Sequence, residues 1–182
     1  NTAFLTYDYR NPSKADEMWF YSPSARKTRR VSAGARGAFF ADTDFTYEEI
    51  KMETKLSTED YRFRLVGQET VECHPCFKIE ATPCNESLEK DLGFARAIYW
   101  FDAESLMPHR TEYFDSEGRL LRIVETKDIK RIEGIWTALR VVAHNEITGH
   151  STEFLFSDVN YNDPVDDRLF TDEVLVHGSW RH

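Results

Sequence analysis

Four carboxylates lie within a few residues of one another and could bind a metal or take part in acid–base chemistry: Asp42, Asp44, Glu48 and Glu49. A hard cation such as Ca²⁺ needs roughly six or more oxygen ligands in one cage. Neither a glycine turn nor a ladder of further oxygen ligands accompanies these residues. The pattern instead predicts that Thr43 or Asp44 caps a short helix, with Glu48 and Glu49 near the positive end of its dipole. We therefore expect no metal here.

Three cysteines lie close together as Cys73, Cys76 and Cys84. His74, between the first two, is badly placed to complete a zinc tetrahedron with both neighbours. A thioredoxin-like motif would need the N-terminus of a helix, whereas Pro75 stands between two strand-like runs. The residues leave three alternatives: one structural disulfide with a spare thiol, unpaired thiols, or metal or redox chemistry.

The histidines form no recognisable catalytic motif. They are dispersed at His74, His109, His144, His150, His177 and His182, and none has the i, i+4 spacing beside a carboxylate that zinc enzymes use. His144 and His150 flank a predicted turn, where a histidine pair is usually solvated surface. Because no nucleophile elbow or glycine-rich phosphate loop occurs either, we expect no enzyme, no metal and no cofactor. A hydrolase that uses the acidic cluster around Asp44 is an alternative.

Positive charge is concentrated in residues 21–38 of a chain whose formal net charge is -9. This stretch contains no carboxylate, and its basic residues are Arg26, Lys27, Arg29, Arg30 and Arg36. Such a run is typical of a solvated edge strand, and it also suits an anionic partner such as a phospholipid head group or an acidic protein patch. We predict head-group or partner contact at Arg26, Lys27, Arg29 and Arg30. The acidic chain as a whole argues against nucleic acid as a ligand.

The elements that must position these groups are mostly strands. Strand-like runs occupy residues 3–9, 18–22, 28–32, 61–71, 76–82, 94–102, 109–114, 119–132, 135–145 and 151–161. Turn residues at 115–118, 133–134 and 148–149 leave connections too short for parallel neighbours, which predicts an antiparallel meander. Helical signals occur only at 45–52 and 87–92, with a turn at 166–170.

Several predicted strands are apolar on both faces. In residues 94–102, Ile98 and Trp100 oppose Tyr99 and Phe101, whereas a sheet with one wet face alternates polar and apolar residues. Because few helices are available to cover such a sheet, it must curl around its own contents or await a ligand. A filled barrel or two-sheet sandwich is the alternative. We predict an apolar cavity lined by Trp19, Tyr21, Phe39, Phe40, Phe45, Tyr47, Trp100, Tyr113, Trp136 and Phe154.

The order of several motifs resembles one family: FLTYDYR, MWFYSPSARKTRRVS, FFADTDFTYEEI, PHRTEYFDSEGRLLR, IEGIWTALRVVAHNEITGHSTEF and DDRLFT. They cover nearly the whole chain and resemble the outer-membrane lipoprotein-sorting proteins of the LolA-like superfamily, in its uncharacterised periplasmic branch. The resemblance implies a mainly β (α+β) fold, in which a curved antiparallel sheet forms an incomplete half-barrel with short helices as a lid. Residues 39–50 would be the lid or rim, with the basic run near the mouth.

The resemblance also implies a function and a location. The chain is expected to be a periplasmic carrier or binding protein for lipoprotein acyl chains or lipids, with an inner-membrane exporter as a further partner. The alternative is a non-transporting adaptor subunit of an envelope lipid-export complex. Length predicts one domain over residues 1–182. Because the chain opens on a strand-like run, we expect it to lack the family's signal sequence and first helix-and-strand region, and to pair its edge strand 3–9 with a second copy as a homodimer.

Overall fold

The computed structural model describes residues 3–9, 14, 16–32, 35–51 and 56–177. Within them the strands are β1 (Ala3–Tyr7), β2 (Glu17–Ser22), β3 (Lys27–Val31), β4 (Tyr61–Val71), β5 (His74–Pro83), β6 (Arg96–Asp102), β7 (Pro108–Phe114), β8 (Leu120–Ile132), β9 (Ile135–Asn145) and β10 (Ser151–Leu155). The helices are α1 (Tyr47–Ile50), α2 (Glu86–Leu92) and α3 (Asp172–His177), with a 3-10 helix at Asp167–Leu169. None of the helices in the described ranges is long and apolar enough to span a membrane.

The predicted strands are all present, with small shifts at their ends. The last strand is much shorter than predicted and ends at Leu155. An extended run to residue 161 is interrupted at Asp158, which has a φ of 54°. The helix α3 was not predicted. Met52, at the end of the predicted first helix, lies outside the described residues.

The chain divides into two compact units, and the expectation of one domain over residues 1–182 stays a prediction. Residues 1–36 and 162–182 form the first unit, and residues 37–161 form the second. In the first, β1, β2 and β3 make an antiparallel sheet in that order, and α3 packs on it through Leu175 against Leu5 and Tyr21. The Tyr7 hydroxyl donates to the Phe170 carbonyl at 2.6 Å. Lys27, Arg29 and Arg30 of the basic run lie on β3, which is at an edge of the described part of this sheet, as the edge-strand interpretation expects.

The second unit is the predicted meander, extended to all of its strands. Its order is β10-β9-β8-β7-β6-β5-β4, antiparallel throughout. The sheet is curved and does not close, since β4 and β10 form its two edges. The hairpin turns fall where the sequence predicts them, and Gly134 adopts a φ of 89° that an L-residue rarely takes.

One face of this sheet, the packed face, carries the core of the second unit. Its cross-strand rows are Phe63, Ala81, Ala97, Tyr113, Arg122 and Asn145, followed by Ile79, Tyr99, Thr111, Val124, Ala143 and Thr152. The buried members Ala81, Ala97, Tyr99 and Tyr113 cluster with Leu92 of α2. The small side chains of Ala81 and Ala97 lie in the same cluster as the rings of Tyr99 and Tyr113.

The opposite face of the sheet is called the charged face. The sequence predicts that the apolar residues of β6 on this side need the sheet's own contents or a ligand to cover them, and the structure corrects that expectation. Trp100 is buried there beneath long charged side chains, and its indole N–H donates to Glu69 Oε2 at 2.8 Å. The Lys78 ammonium lies 4.8 Å from its ring centroid, and the Arg110 guanidinium lies 5.9 Å from it. The aliphatic stems of such residues can cover apolar surface while their charged ends stay wet. Burial of this tryptophan therefore does not indicate a ligand cavity.

All three thiols are free in the structure, so it agrees with the unpaired-thiol alternative. Cys73 is exposed, Cys76 is buried and Cys84 is half-buried. Burial, with the nearby Asp102 carboxylate adding to it, raises the pKa of the Cys76 thiol. A buried thiol with a raised pKa is a structural side chain rather than a nucleophile.

Candidate functional site

The residues that precede and form α1, here called the docked segment (residues 37–50), lie against the packed face. The segment starts at Gly37, whose N–H donates to the Asp91 carbonyl at 2.7 Å. A Cβ at this position would lie 2.2 Å from the Leu92 carbonyl oxygen, so only glycine permits the close approach to α2. Phe39 then forms an isolated antiparallel bridge with Thr46.

The helix α1 begins with a capping box at Thr46, which corrects the expectation that Thr43 or Asp44 is the cap. The Thr46 Oγ1 accepts from the Glu49 N–H at 3.3 Å, and the Glu49 carboxylate accepts from the Thr46 N–H at 2.8 Å. This reciprocal pair satisfies the amides that a short helix leaves unpaired at its start. Thr43 instead donates its hydroxyl to the Phe40 carbonyl at 2.7 Å and closes the preceding turn.

Asp44 is buried and ties the docked segment to the β9–β10 hairpin. The Thr152 hydroxyl accepts from the Asp44 N–H at 3.0 Å and donates to Asp44 Oδ2 at 2.7 Å. The same oxygen lies 2.6 Å from His150 Nδ1. Burial by itself would raise the pKa of the Asp44 carboxyl, but the hydrogen bonds from Thr152 and His150 hold that pKa below its usual value. The carboxylate is thus ionised and structurally engaged.

Arg122 of β8 anchors the other end of the docked segment. Its guanidinium binds the Glu49 carboxylate in a bidentate pair, with Nη1 to Oε2 at 2.6 Å and Nη2 to Oε1 at 3.0 Å. Nη1 also donates to the Asp44 carbonyl at 2.8 Å, and the guanidinium carbon lies 4.6 Å from the Tyr113 ring centroid. Burial would lower the pKa of Arg122, but the Glu49 charge raises it above the usual value, while burial raises the pKa of Tyr113. The pair is charged and enclosed.

Aromatic stacking completes the attachment. The Phe45 and Phe154 rings stack with centroids 4.4 Å apart, and Phe40 meets Tyr47 edge to face at 5.6 Å. Beneath the segment, the space lined by Tyr61, Phe94, Tyr99, Tyr113 and Arg122 amounts to only about 20 Å³. The interior at this place is therefore filled by the protein's own side chains.

An apolar groove lies beside the docked segment and remains open. Its volume is about 300 Å³, and it is lined by Gly37, Phe39, Thr46, Leu92, Gly93, Leu121, Arg122, Asn145, Ile147 and Thr148. Phe39 is 47% exposed and Ile147 is 64% exposed. The groove places two large apolar side chains in water on either side of a recess of the size that small ligands occupy. Of the two roles predicted for residues 39–50, the geometry favours the rim.

The structure brings only some of the predicted cavity residues together. Phe39, Phe40, Phe45, Tyr47, Tyr113 and Phe154 meet at or beneath the docked segment. Trp100 and Trp136 lie on the charged face, where Trp136 is paired with Arg131 and its ring centroid lies 5.6 Å from that guanidinium. Trp19 and Tyr21 belong to β2 of the first unit. Arg26, Lys27, Arg29 and Arg30 are all exposed, and Arg30 is paired with Glu17 at 3.1 Å.

The most important residues of the site were not predicted as site residues. Arg122, Thr152 and His150 hold the docked segment, yet sequence reasoning passed over the first two and treated His150 as solvated surface. A signal was present, because Arg122 is a charged residue between apolar neighbours in a strand, a position that requires a buried partner. Among the described residues, the one group of three imidazole and carboxylate ligands close enough to hold a metal lies away from this groove, at His74, Asp102 and His109.

Comparison with known proteins gives a consistent result for the fold. A family model described as that of an uncharacterized protein matches residues 1–177. A domain from Vibrio parahaemolyticus assigned as an outer membrane lipoprotein-sorting protein superposes with a TM-score of 0.83 and 26% identity, covering 96% of this chain and 71% of that chain. A DUF1329 family protein from Desulfovibrio piger superposes with a TM-score of 0.84 and 27% identity, covering 96% and 70%.

A more distant structure shares the architecture alone. A LolA superfamily protein from Nitrosomonas europaea has a TM-score of 0.60 and 17% identity, with 94% of this chain and 88% of that chain covered. No curated protein matches the sequence significantly. The mainly β, LolA-like fold that the motifs imply is thus confirmed.

Proposed function

This chain belongs to the DUF1329 family, and from that premise and the open groove we propose that it binds the acyl chains of lipids or lipid-modified proteins in the bacterial periplasm. The observation that carries the proposal is the apolar groove of about 300 Å³ beside the docked segment. Phe39 and Ile147, both well exposed to water at its rim, would be covered by such a ligand. The similarity to a lipoprotein-sorting domain supports the same ligand class.

The groove suits a chain of methylenes better than a polar ligand. Leu92, Leu121, Ile147 and Phe39 provide apolar contacts, and the nearby Arg122 charge is already paired with Glu49. Each buried methylene contributes about 0.8 kcal/mol, so about ten of them would give roughly 8 kcal/mol, the equivalent of a Kd near ~1 μM. Ordering of the ligand reduces that figure. Weak, reversible binding is what a carrier needs for release.

The basic run is a second proposed contact, independent of the groove. Arg26, Lys27, Arg29 and Arg30 are exposed, and each basic residue near an anionic surface adds about 1 kcal/mol of attraction. We propose these residues as the contact with a lipid head group, an anionic membrane or an acidic exporter surface. Homodimerisation through the edge strand β1 remains a proposal of the same kind, since β1 is at an edge of the described part of its sheet.

The test is binding of a fluorescent fatty acid to the purified chain, compared with Phe39→Ser and Ile147→Ser. Each substitution removes apolar contact worth about 1.5 to 3 kcal/mol when fully buried, so we expect affinity to fall about tenfold. The matched control is Leu155→Ser, because Leu155 on β10 is more exposed than either residue but does not line the groove. Equal loss in all three variants would indicate non-specific adsorption and contradict the proposal.

Retained lipid distinguishes the carrier from the adaptor alternative. The filled interior beneath the docked segment is the observation that favours an adaptor, whose cavity is occupied by its own side chains. Mass spectrometry of lipids extracted from protein purified without detergent is expected to find acyl lipids near one equivalent. Protein that carries none, and that also fails to bind the fluorescent fatty acid, would support the adaptor.

A further inference from the structure

Three potential metal ligands converge at the ends of β5, β6 and β7, away from the groove. His74 begins β5, Asp102 ends β6 and His109 lies in β7. His74 Nδ1 is 3.3 Å from Asp102 Oδ2, and His109 Nε2 is 3.9 Å from the same oxygen. The three ligand atoms all lie within 4.8 Å of one another. An ion about 2.0–2.2 Å from each of them fits between such atoms.

The Asp102 carboxylate is oriented by its own turn. Its Oδ1 accepts from the Glu104 N–H at 3.0 Å, the Ser105 N–H at 2.6 Å and the Ser105 hydroxyl at 2.8 Å. These bonds leave Oδ2 directed at the two imidazoles. Outer hydrogen bonds of this kind are typical of metal ligands.

The two imidazoles stack on one another beside the Asp102 carboxylate. His109 is buried, and its ring stacks on that of His74 with centroids 4.4 Å apart and planes 29° apart. Imidazole nitrogens are common ligands of transition metals.

We propose that His74, Asp102 and His109 form a binding site for a divalent transition metal, with Zn²⁺ the best match. Two imidazoles and one carboxylate are the ligand set of zinc sites that keep an open position for water or another ligand. The nitrogen ligands disfavour Mg²⁺ and Ca²⁺, while Cu²⁺, Ni²⁺ and Co²⁺ share the preference. The ion would join the ends of three strands. The site lies outside the acyl-binding proposal and does not depend on it.

The nearby cysteines supply the competing explanation for any zinc affinity. Cys73 is exposed and adjacent to His74 in sequence, and its φ of 73° places it in the turn between β4 and β5. A Cys73→Ser variant therefore separates thiol binding from binding at the proposed site. Cys76 is buried and does not belong to the group of three converging ligands.

The experiment is a titration of the metal-stripped full chain with Zn²⁺, followed by calorimetry, and with Co²⁺, followed by visible absorption. We expect one ion per chain in the native sequence and in the controls Cys73→Ser and His144→Gln. His109→Gln, Asp102→Asn and His74→Gln should each lower the affinity at least tenfold, and Ser105→Ala, which removes an outer hydrogen bond, about tenfold. His74 is 54% exposed, so His74→Gln is expected to fold even if the buried variants do not.

Two results would overturn the proposal. The first is native protein that binds neither Zn²⁺ nor Co²⁺. The second is loss of binding in Cys73→Ser with unchanged binding in His74→Gln, which would assign the ion to the thiol. In the expected case, Zn²⁺ also raises the melting temperature of the native chain and of His144→Gln, but not that of His74→Gln, because only a folded site binds the ion.

Discussion

Replacing Arg122 by Gln should destabilise the protein far more than the same change at Arg119, although each of the two arginines pairs with a carboxylate. The Arg122 side chain is 7% exposed and binds Glu49 and the Asp44 carbonyl. The Arg119 side chain is 67% exposed and pairs with Asp115 at 2.7 Å. The two substitutions are chemically identical, so the difference between them measures the effect of burial.

The expected magnitudes follow from that difference. Removing one partner of a buried ion pair leaves the other charge uncompensated and costs about 3–5 kcal/mol. An exposed pair contributes under about 1 kcal/mol, with part of that screened by salt. Because domains are stable by only about 5–15 kcal/mol, Arg122→Gln should lose a large part of the total.

Urea unfolding at neutral pH gives both free energies. We expect the urea midpoint to fall strongly in Arg122→Gln while the slope stays unchanged. This combination indicates a loss of stability without a change in the surface exposed on unfolding. The double variant Arg122→Met with Glu49→Met should recover only part of the loss: an apolar pair can replace a buried ion pair, but methionine cannot accept from the Thr46 N–H or donate to the Asp44 carbonyl. If Arg122→Gln loses no more free energy of unfolding than Arg119→Gln, the buried Arg122–Glu49 pair does not anchor the docked segment and the reasoning is refuted.

Three further outcomes are expected. Thr152→Val should lower the free energy of unfolding at neutral pH by about 1.5–3 kcal/mol and move acid unfolding to higher pH. The folded-state pKa of Asp44 lies below its usual 3.8, so the stabilisation by the Asp44 carboxylate is present above pH 3.8 and is lost as the pH falls through the folded-state pKa. Circular dichroism measured against pH follows this acid transition. Gly37→Ala should cost about 1–3 kcal/mol in urea unfolding, because its Cβ would meet backbone at 2.2 Å. Arg29→Ser with Arg30→Ser should leave stability within about 1 kcal/mol but weaken sedimentation with anionic vesicles.

Each of these has a matched control in the chain. Thr82→Val removes an exposed hydroxyl from β5 and should leave the acid transition in place. Gly67→Ala adds a Cβ that meets nothing within 4 Å, so its effect should be small. Lys130→Ser with Arg131→Ser removes two exposed cations from β8, and vesicle binding should persist. Acid unfolding unchanged in Thr152→Val, or vesicle binding lost equally in both double variants, would contradict the corresponding prediction.

The strands and their order could be predicted from the sequence, because they depend on local patterns. Alternation and β-branched runs place β4 (Tyr61–Val71) and β9 (Ile135–Asn145) at the predicted bounds, and turn residues at 133–134 require antiparallel neighbours. Because the connections between successive strands are short, each strand pairs with the next one in the chain, which gives a meander. The family motif at residues 39–50 likewise identified the segment that borders the groove, because the motif can be recognised from the residue types of the segment alone.

Tertiary structure alone decided which side chains meet. Alternation marks two faces but does not reveal that long charged side chains cover Trp100, so an apolar pattern was taken for a cavity wall. Glu49 and Arg122 lie far apart in the chain, and only the docking of α1 on β8 makes the guanidinium a buried partner. His74, Asp102 and His109 converge through the pairing of β5, β6 and β7, including a register shift after Trp100. Contacts between distant strands depend on register and close packing, and a sequence read locally contains neither.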